Sequence, residues 1–176
     1  MKTRLSYLLP AGTLALLVGI AMASVSVDYD HSANFTRYHT YSWLGIRAGD
    51  SLWEKRIKEA VDRQLVFRGW NQVPAGGDAG VSAFGQVTER DTIVTYYDGF
   101  PGWGWGGWGG PAWATTQVIP QEIGTLTVDV FDGHTKQLIW RGVASKSVSK
   151  KPEKNEKKLA KVIDEMFERF PAVSRT

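Results

Sequence analysis

Once the chain turns polar, its apolar residues first recur at every second position. Val25, Val27 and Tyr29 alternate with Ser26, Asp28 and Asp30, the pattern of a strand with one buried face. Thr40 to Leu44 reads as a second short strand. The period then lengthens. Trp53, Ile57, Val61 and Leu65, with Ala60 beside them, form one apolar stripe that predicts a helix from Leu52 to about Arg68. Ser51 is the expected N-cap, Glu54 completes a capping box, and Gly69 stands where the helix stops.

The second half repeats the two signals in the same order. Val81 to Tyr97 favours β-structure, as one bent strand or two joined at Arg90-Asp91. A Trp/Gly-rich run follows from Gly99 to Trp113, and Thr115 to Ile119 can return as a strand. Leu126, Val128 and Val130 alternate with polar neighbours, as do Leu138, Trp140 and Gly142, and Asp132-Gly133 between them signals a hairpin. Leu159, Val162, Ile163, Met166, Phe167 and Phe170 make a continuous face of a last helix, which Pro171 ends. The expected fold is α+β: two layers, a largely antiparallel sheet, and two amphipathic helices on one of its faces. No internal repeat or second domain is visible.

The first 23 residues are of another kind. Lys2 and Arg4 precede an apolar segment from Leu8 to Met22, and Ala21-Met22-Ala23 has the small-x-small form of a peptidase site. The expectation is a secretory signal over 1–23, cleavage after Ala23, and a single periplasmic or envelope domain over 24–176. An uncleaved anchor is the alternative, since Leu5 to Val27 is nearly long enough to span a bilayer. The net charge of +3 belongs largely to the leader. Without Lys2 and Arg4, 19 basic residues face 18 acidic ones, a poor balance for nucleic-acid binding. The absence of cysteine excludes disulfides, a thiol nucleophile and a lipid-modified N-terminal cysteine.

Several segments resemble a known family. Asp28-Tyr29-Asp30, Asn34-Phe35, Tyr38 and Thr40-Tyr41-Ser42-Trp43 are similar to the opening of the bacterial envelope family catalogued as domain of unknown function 4136. Residues Gly124 to Val130, Lys136 to Gly142 and Phe170-Pro171 are similar to its later strands and closing helix stop. The resemblance spans the mature chain. It implies a small exported protein, often a lipoprotein, with no agreed activity and no catalytic residues to carry over. Ser24 stands where a lipid-modified cysteine would be expected, which favours a soluble form.

Candidate chemistry is sparse. Trp103, Trp105, Trp108 and Trp113 lie in the Trp/Gly run and suit a membrane interface, a sugar ring or a protein partner. Gly104, Gly106 and Gly109 spell GxGxxG, but no helix follows and the indoles are too bulky for a dinucleotide site. Lys150, Lys151 and Lys154 belong to a basic run from Lys146 to Lys161, either a solvated helix face or an aid in approaching anionic polymers and headgroups. Gly49-Asp50-Ser51-Leu52 matches the nucleophile block of GDSL-type esterases, yet its only Asp-x-x-His, Asp28 to His31, lies upstream. Asp28, Asp30 and His31 are weak metal ligands, expected on an outward edge. His31, His39 and His134 are scattered, and Asn34-Phe35-Thr36 is a glycosylation sequon.

The sequence therefore describes a non-enzymatic exported protein that binds or scaffolds an envelope protein, glycan or membrane surface. No catalytic residue, metal or cofactor is expected. A serine esterase using Ser51, or an accessory subunit of an envelope transport or assembly machine, is the alternative. Amino-terminal sequencing of the exported protein is expected to read Ser24-Val25-Ser26. A sequence beginning at Met1 would instead show a retained leader.

Overall fold

The computed structural model describes residues 24–98 and 113–171; the leader assigned to 1–23 lies outside them. Six strands form one sheet: β1 (Ser24–Tyr29), β2 (Thr40–Arg47), β3 (Asn71–Gln72), β4 (Ala79–Asp98), β5 (Trp113–Asp132) and β6 (Leu138–Ser147). Helix α1 (Ser51–Phe67) follows β2, and α2 (Pro152–Glu168) follows β6. The strand order is β1-β6-β5-β4-β2-β3.

The class is α+β, but the sheet is mixed and not largely antiparallel. Strands β1, β6, β5 and β4 pair antiparallel, whereas β2 runs parallel to both β4 and β3. The reason lies in the connection. A parallel neighbour needs a crossover of a dozen or more residues, and the 17-residue α1 between β2 and the later strands supplies it.

Strands β4 and β5 are each continuous over 20 residues, with no break at Arg90-Asp91 and no second start before Leu126. Strand β6 reaches only Ser147 opposite Ile123. Beyond it, Glu89–Asp98 and Trp113–Glu122 pair with each other alone. This two-stranded arm spans about 34 Å at ~3.4 Å per residue. Residues 99–112, which join its strands, lie outside the described residues.

Both helices cover the same face. Its inward row reads Val81, Ala83, Gly85 and Val87 on β4; Val130, Val128, Leu126 and Gly124 on β5; and Trp140, Gly142, Ala144 and Lys146 on β6. Ile57, Ala60, Val61 and Leu65 of α1 and Val162, Ile163, Met166 and Phe167 of α2 pack against it. The opposite face carries Phe84, Thr127, the Asp129–Arg141 ion pair at 2.6 Å and exposed Leu44, with no helix over it.

Each helix runs from one end of the sheet to the other. At the end where the helices stop, Tyr29, Phe35, Tyr38, Trp70, Trp140, Phe167 and Phe170 form a connected set of rings 5.0–6.1 Å apart. Here three backbones meet: a Cβ on Gly133 would lie 2.2 Å from the Gly77 oxygen, and one on Gly77 would lie 2.6 Å from Tyr41. The buried Asp132 carboxylate accepts from Tyr38 Oη at 2.8 Å and from the amides of His134 and Thr135, each at 2.8 Å. These donors, the Thr135 amide first, hold its pKa well below the usual carboxylate range, and burial then the Asp132 contact push Tyr38 up to about 12.

Two outcomes follow for stability. Gly133→Ala is expected to cost about 3 kcal/mol, since overpacking at a backbone contact cannot relax through a side chain, and chemical denaturation measures it. Asp132 favours the folded state most strongly when ionised, so its contribution is complete above the unfolded value of 3.8 and is lost as pH falls from there through the depressed folded value. Asp132→Asn should accordingly flatten the acid limb of the stability profile below that pH.

Candidate functional site

The inward face of the sheet loses bulk along its length. Val81, Val130 and Trp140 stand at the helix-stop end, while Gly85, Gly124 and Ala144 stand toward the helix-start end. Adding a Cβ to Gly85 would bring only ordinary contact, 3.5 Å from Ala48 Cβ and from Ile57 Cδ1. The result is a cleft of about 210 Å³ between the opening turns of the two helices. Trp53 and Ile57 of α1 form one wall, Asn155, Lys158, Leu159 and Val162 of α2 the other, and Leu126 and Val87 lie on the sheet below.

Hydrogen bonds fix both walls. Asp50 caps α1, its carboxylate accepting from the Trp53 amide at 3.0 Å, and Glu54 accepts from the Ala48 amide at 3.3 Å. The cap therefore falls one residue before the expected Ser51, which is the first helical residue. On α2, Asn155 accepts from the Ser149 amide and donates to the Ser149 carbonyl, both at 2.7 Å, which secures the turn from β6. Lys158 Nζ donates to the Ser147 carbonyl at 2.7 Å. Arg56 and Glu156 bridge the helices at 3.5 Å, and Gln64 donates to Asp164 at 2.6 Å further along.

The lining is apolar with a basic rim. It includes Lys146 and Lys158 and no carboxylate. Lys146, on the inward row beside Gly124, makes no ion pair among the described residues. A wider depression of about 360 Å³ on the open face is lined by Leu44, Arg47, Phe84, Asp129 and Phe131. It carries both signs of charge and has no helical wall, so the interhelical cleft is the better-defined site.

The residues singled out from sequence fare unevenly. Lys150, Lys151 and Lys154 are exposed at the start of α2, the same end as the cleft, but none lines it. Trp113 opens β5 opposite Asp98, and Trp103, Trp105 and Trp108 lie outside the described residues. Asp30 accepts from the Ser32 hydroxyl at 2.6 Å and its amide at 2.8 Å, contacts that lower its pKa. No group of three metal-ligating side chains occurs among the described residues. Asn34 accepts from the Thr36 amide and hydroxyl and caps a single 3₁₀ turn, Phe35–Arg37.

Ser51 and the histidines are separated by the topology. Ser51 follows β2 at the helix-start end, whereas His39 precedes β2, His31 follows β1 and His134 lies in the β5–β6 turn, all at the other end. The eight residues of β2 alone span about 26 Å. No helix among the described residues is long and apolar enough to cross a membrane.

Sequence reasoning placed Trp53, Ile57, Leu159 and Val162 in the core stripes and so passed over the cleft they border. The one available signal was the pair Gly85 and Gly124, interrupting two otherwise bulky inward rows.

A family model described as Domain of unknown function (DUF4136) matches residues 25–172. No curated protein matches the chain by sequence. Among solved structures, a PDZ domain protein from Parabacteroides distasonis is similar over 85% of this chain, with a TM-score of 0.56 and 10% identity. The chain spans 36% of that protein's length. PelC from Paraburkholderia phytofirmans, solved as a dodecamer, is similar with a TM-score of 0.53 and 10% identity, over 87% of this chain and 100% of that one. At this identity the likeness concerns the fold.

If the cleft is open space, Gly85→Ala should be tolerated. The expected outcome in thermal melts is stability equal to the native chain or higher by about 0.4–1 kcal/mol, through a less flexible unfolded state. A clear loss would show that backbone or side chains already fill the gap.

Proposed function

Because this chain belongs to the DUF4136 family, we propose that it is a non-enzymatic binding domain of the bacterial envelope, which holds a ligand or partner without turning it over. The observation that carries this reading is the cleft: an apolar recess with fixed walls and a basic rim, at the open end of an otherwise closed core. Apolar recesses with a few polar groups at the edge are the common form of a binding site. The export signal read in residues 1–23 supports the envelope location. The distance between Ser51 and the three histidines supports binding over serine hydrolysis, since a triad is defined by the convergence of its members.

The strands also share an alignment that suits a surface-oriented binder. Ser24, Ser145, Thr125 and Gln86 lie in one row across β1, β6, β5 and β4. The basic start of α2, the cleft and the arm all lie at or beyond this row.

The test is site-specific photocrosslinking in the native envelope. A crosslinker at Val87, exposed on the cleft's edge, is expected to give a discrete adduct that one at Leu44 on the open face does not. Equal adducts from both positions would count against the reading. So would labelling by a fluorophosphonate that Ser51→Ala abolishes.

A further inference from the structure

We propose that the interhelical cleft takes the acyl end of a single-chain amphiphile and that its basic rim holds the anionic head. The proposal rests on the binding-domain reading and names the ligand class. Two properties of the cleft select it. The first is size. At about 210 Å³, the void exceeds the ~150 Å³ apolar cavity that takes up benzene, so it admits a length of hydrocarbon chain and not a whole two-chain lipid.

The second is the distribution of charge. The walls at depth are Ile57, Leu126, Leu159 and Val162, which offer a chain no polar competitor. Charge on the lining is of one sign only, Lys146 and Lys158. Lys158 already donates to the Ser147 carbonyl, yet an ammonium has three protons and keeps two for a ligand. Lys146 has all three available, since no ion pair among the described residues engages it. Glu156, two residues before Lys158 on α2, pairs with Arg56 and does not line the cleft. The N-terminus of α2 opens beside the same rim, with no side-chain cap on Lys151, and adds a field of the same sign.

A neutral or cationic amphiphile would satisfy the apolar walls and leave the rim unpaired or repelled. A small anion without a chain would satisfy the rim and leave the walls in water. Only the combination meets both. A fatty-acid carboxylate and a lysophospholipid share this chemistry, and the head group separates them experimentally.

Isothermal titration of the purified exported protein tests the proposal with decanoate, decanol and decyltrimethylammonium. Decanoate is expected to bind at least tenfold tighter than the ammonium analogue. Lys146→Glu should weaken decanoate at least tenfold and leave decanol unchanged; Gly85→Val should weaken both by filling the floor. A short-chain lysophosphatidylglycerol arm distinguishes a phosphate head from a carboxylate, and tighter binding of either anion supports the assignment. Equal affinity for decanoate and the ammonium analogue would overturn it. So would unchanged decanoate binding in a folded Gly85→Val protein, with Lys146→Glu as the second check if that variant melts early. A Val87 adduct with a protein, together with no decanoate binding, would defeat this assignment while leaving the binding-domain reading in place.

Discussion

The structure depends on a gradient of side-chain size along one face of the sheet. On the flanking strands the inward positions shrink from the helix-stop end up to the rim: Trp140 gives way to Gly142 and Ala144 on β6 before Lys146, and Val81 to Ala83 and Gly85 on β4 before Val87. Protein interiors are packed to crystal-like density, so a face that loses bulk must bring its cover closer or leave a gap. Near the middle the cover comes closer: Met166 packs so tightly on Gly142 that a Cβ there would sit 3.0 Å from the sulfur. At the helix-start end the gap remains, and it is the cleft.

What prevents collapse is the rigidity of the opposite end. Trp140 lies 5.0 Å from Phe167 and 5.1 Å from Phe170, and Phe170 meets Phe35 at 5.4 Å, so the end of α2 is locked to the sheet and to the β1–β2 connection. Arg68 ties the helices together there, its guanidinium within 5.2 Å of the Phe167 ring and donating to the Phe167 carbonyl. Burial lowers its pKa from the ordinary arginine value. Asp62 performs the same service on the other side, accepting from Tyr41 Oη at 2.7 Å, Trp43 Nε1 at 2.9 Å and Lys58 Nζ at 2.6 Å to hold α1 against β2. Burial first, and then this carboxylate, push the Tyr41 phenol well above its usual range.

Much of this fold is legible in the residues. Alternation at Val25–Tyr29 and Leu126–Val130 marks strands, and the stripes of α1 and α2 mark the buried helix faces, because burial on one side imposes a period on the sequence. The parallel pairing of β2 is harder to see. Alternation reports which side of a strand is buried but not the direction of its neighbour, and only the strand-helix-strand order from Thr40 to Val81 hints at it. The uninterrupted β4–β5 pair is also hard to see, because Arg90-Asp91 admits a join between two strands, yet it lies on exposed strand where no neighbour but the partner constrains it. The cleft was least legible, because Gly85, Gly124 and Ala144 define it by the side chains they lack. A glycine in a strand reads as weakness until its partners across the sheet are known.

The cleft is thus a consequence of packing, and the proposed binding rests on the cleft. Like the apolar cavities that bind xenon, the apolar depth of the cleft should take up inert gas, which offers a direct measurement. Diffraction from xenon-pressurised crystals is predicted to show a xenon atom enclosed by Ile57, Leu126 and Leu159. An empty map at that position, with the two helix starts closed onto Gly85 and Gly124, would contradict the account.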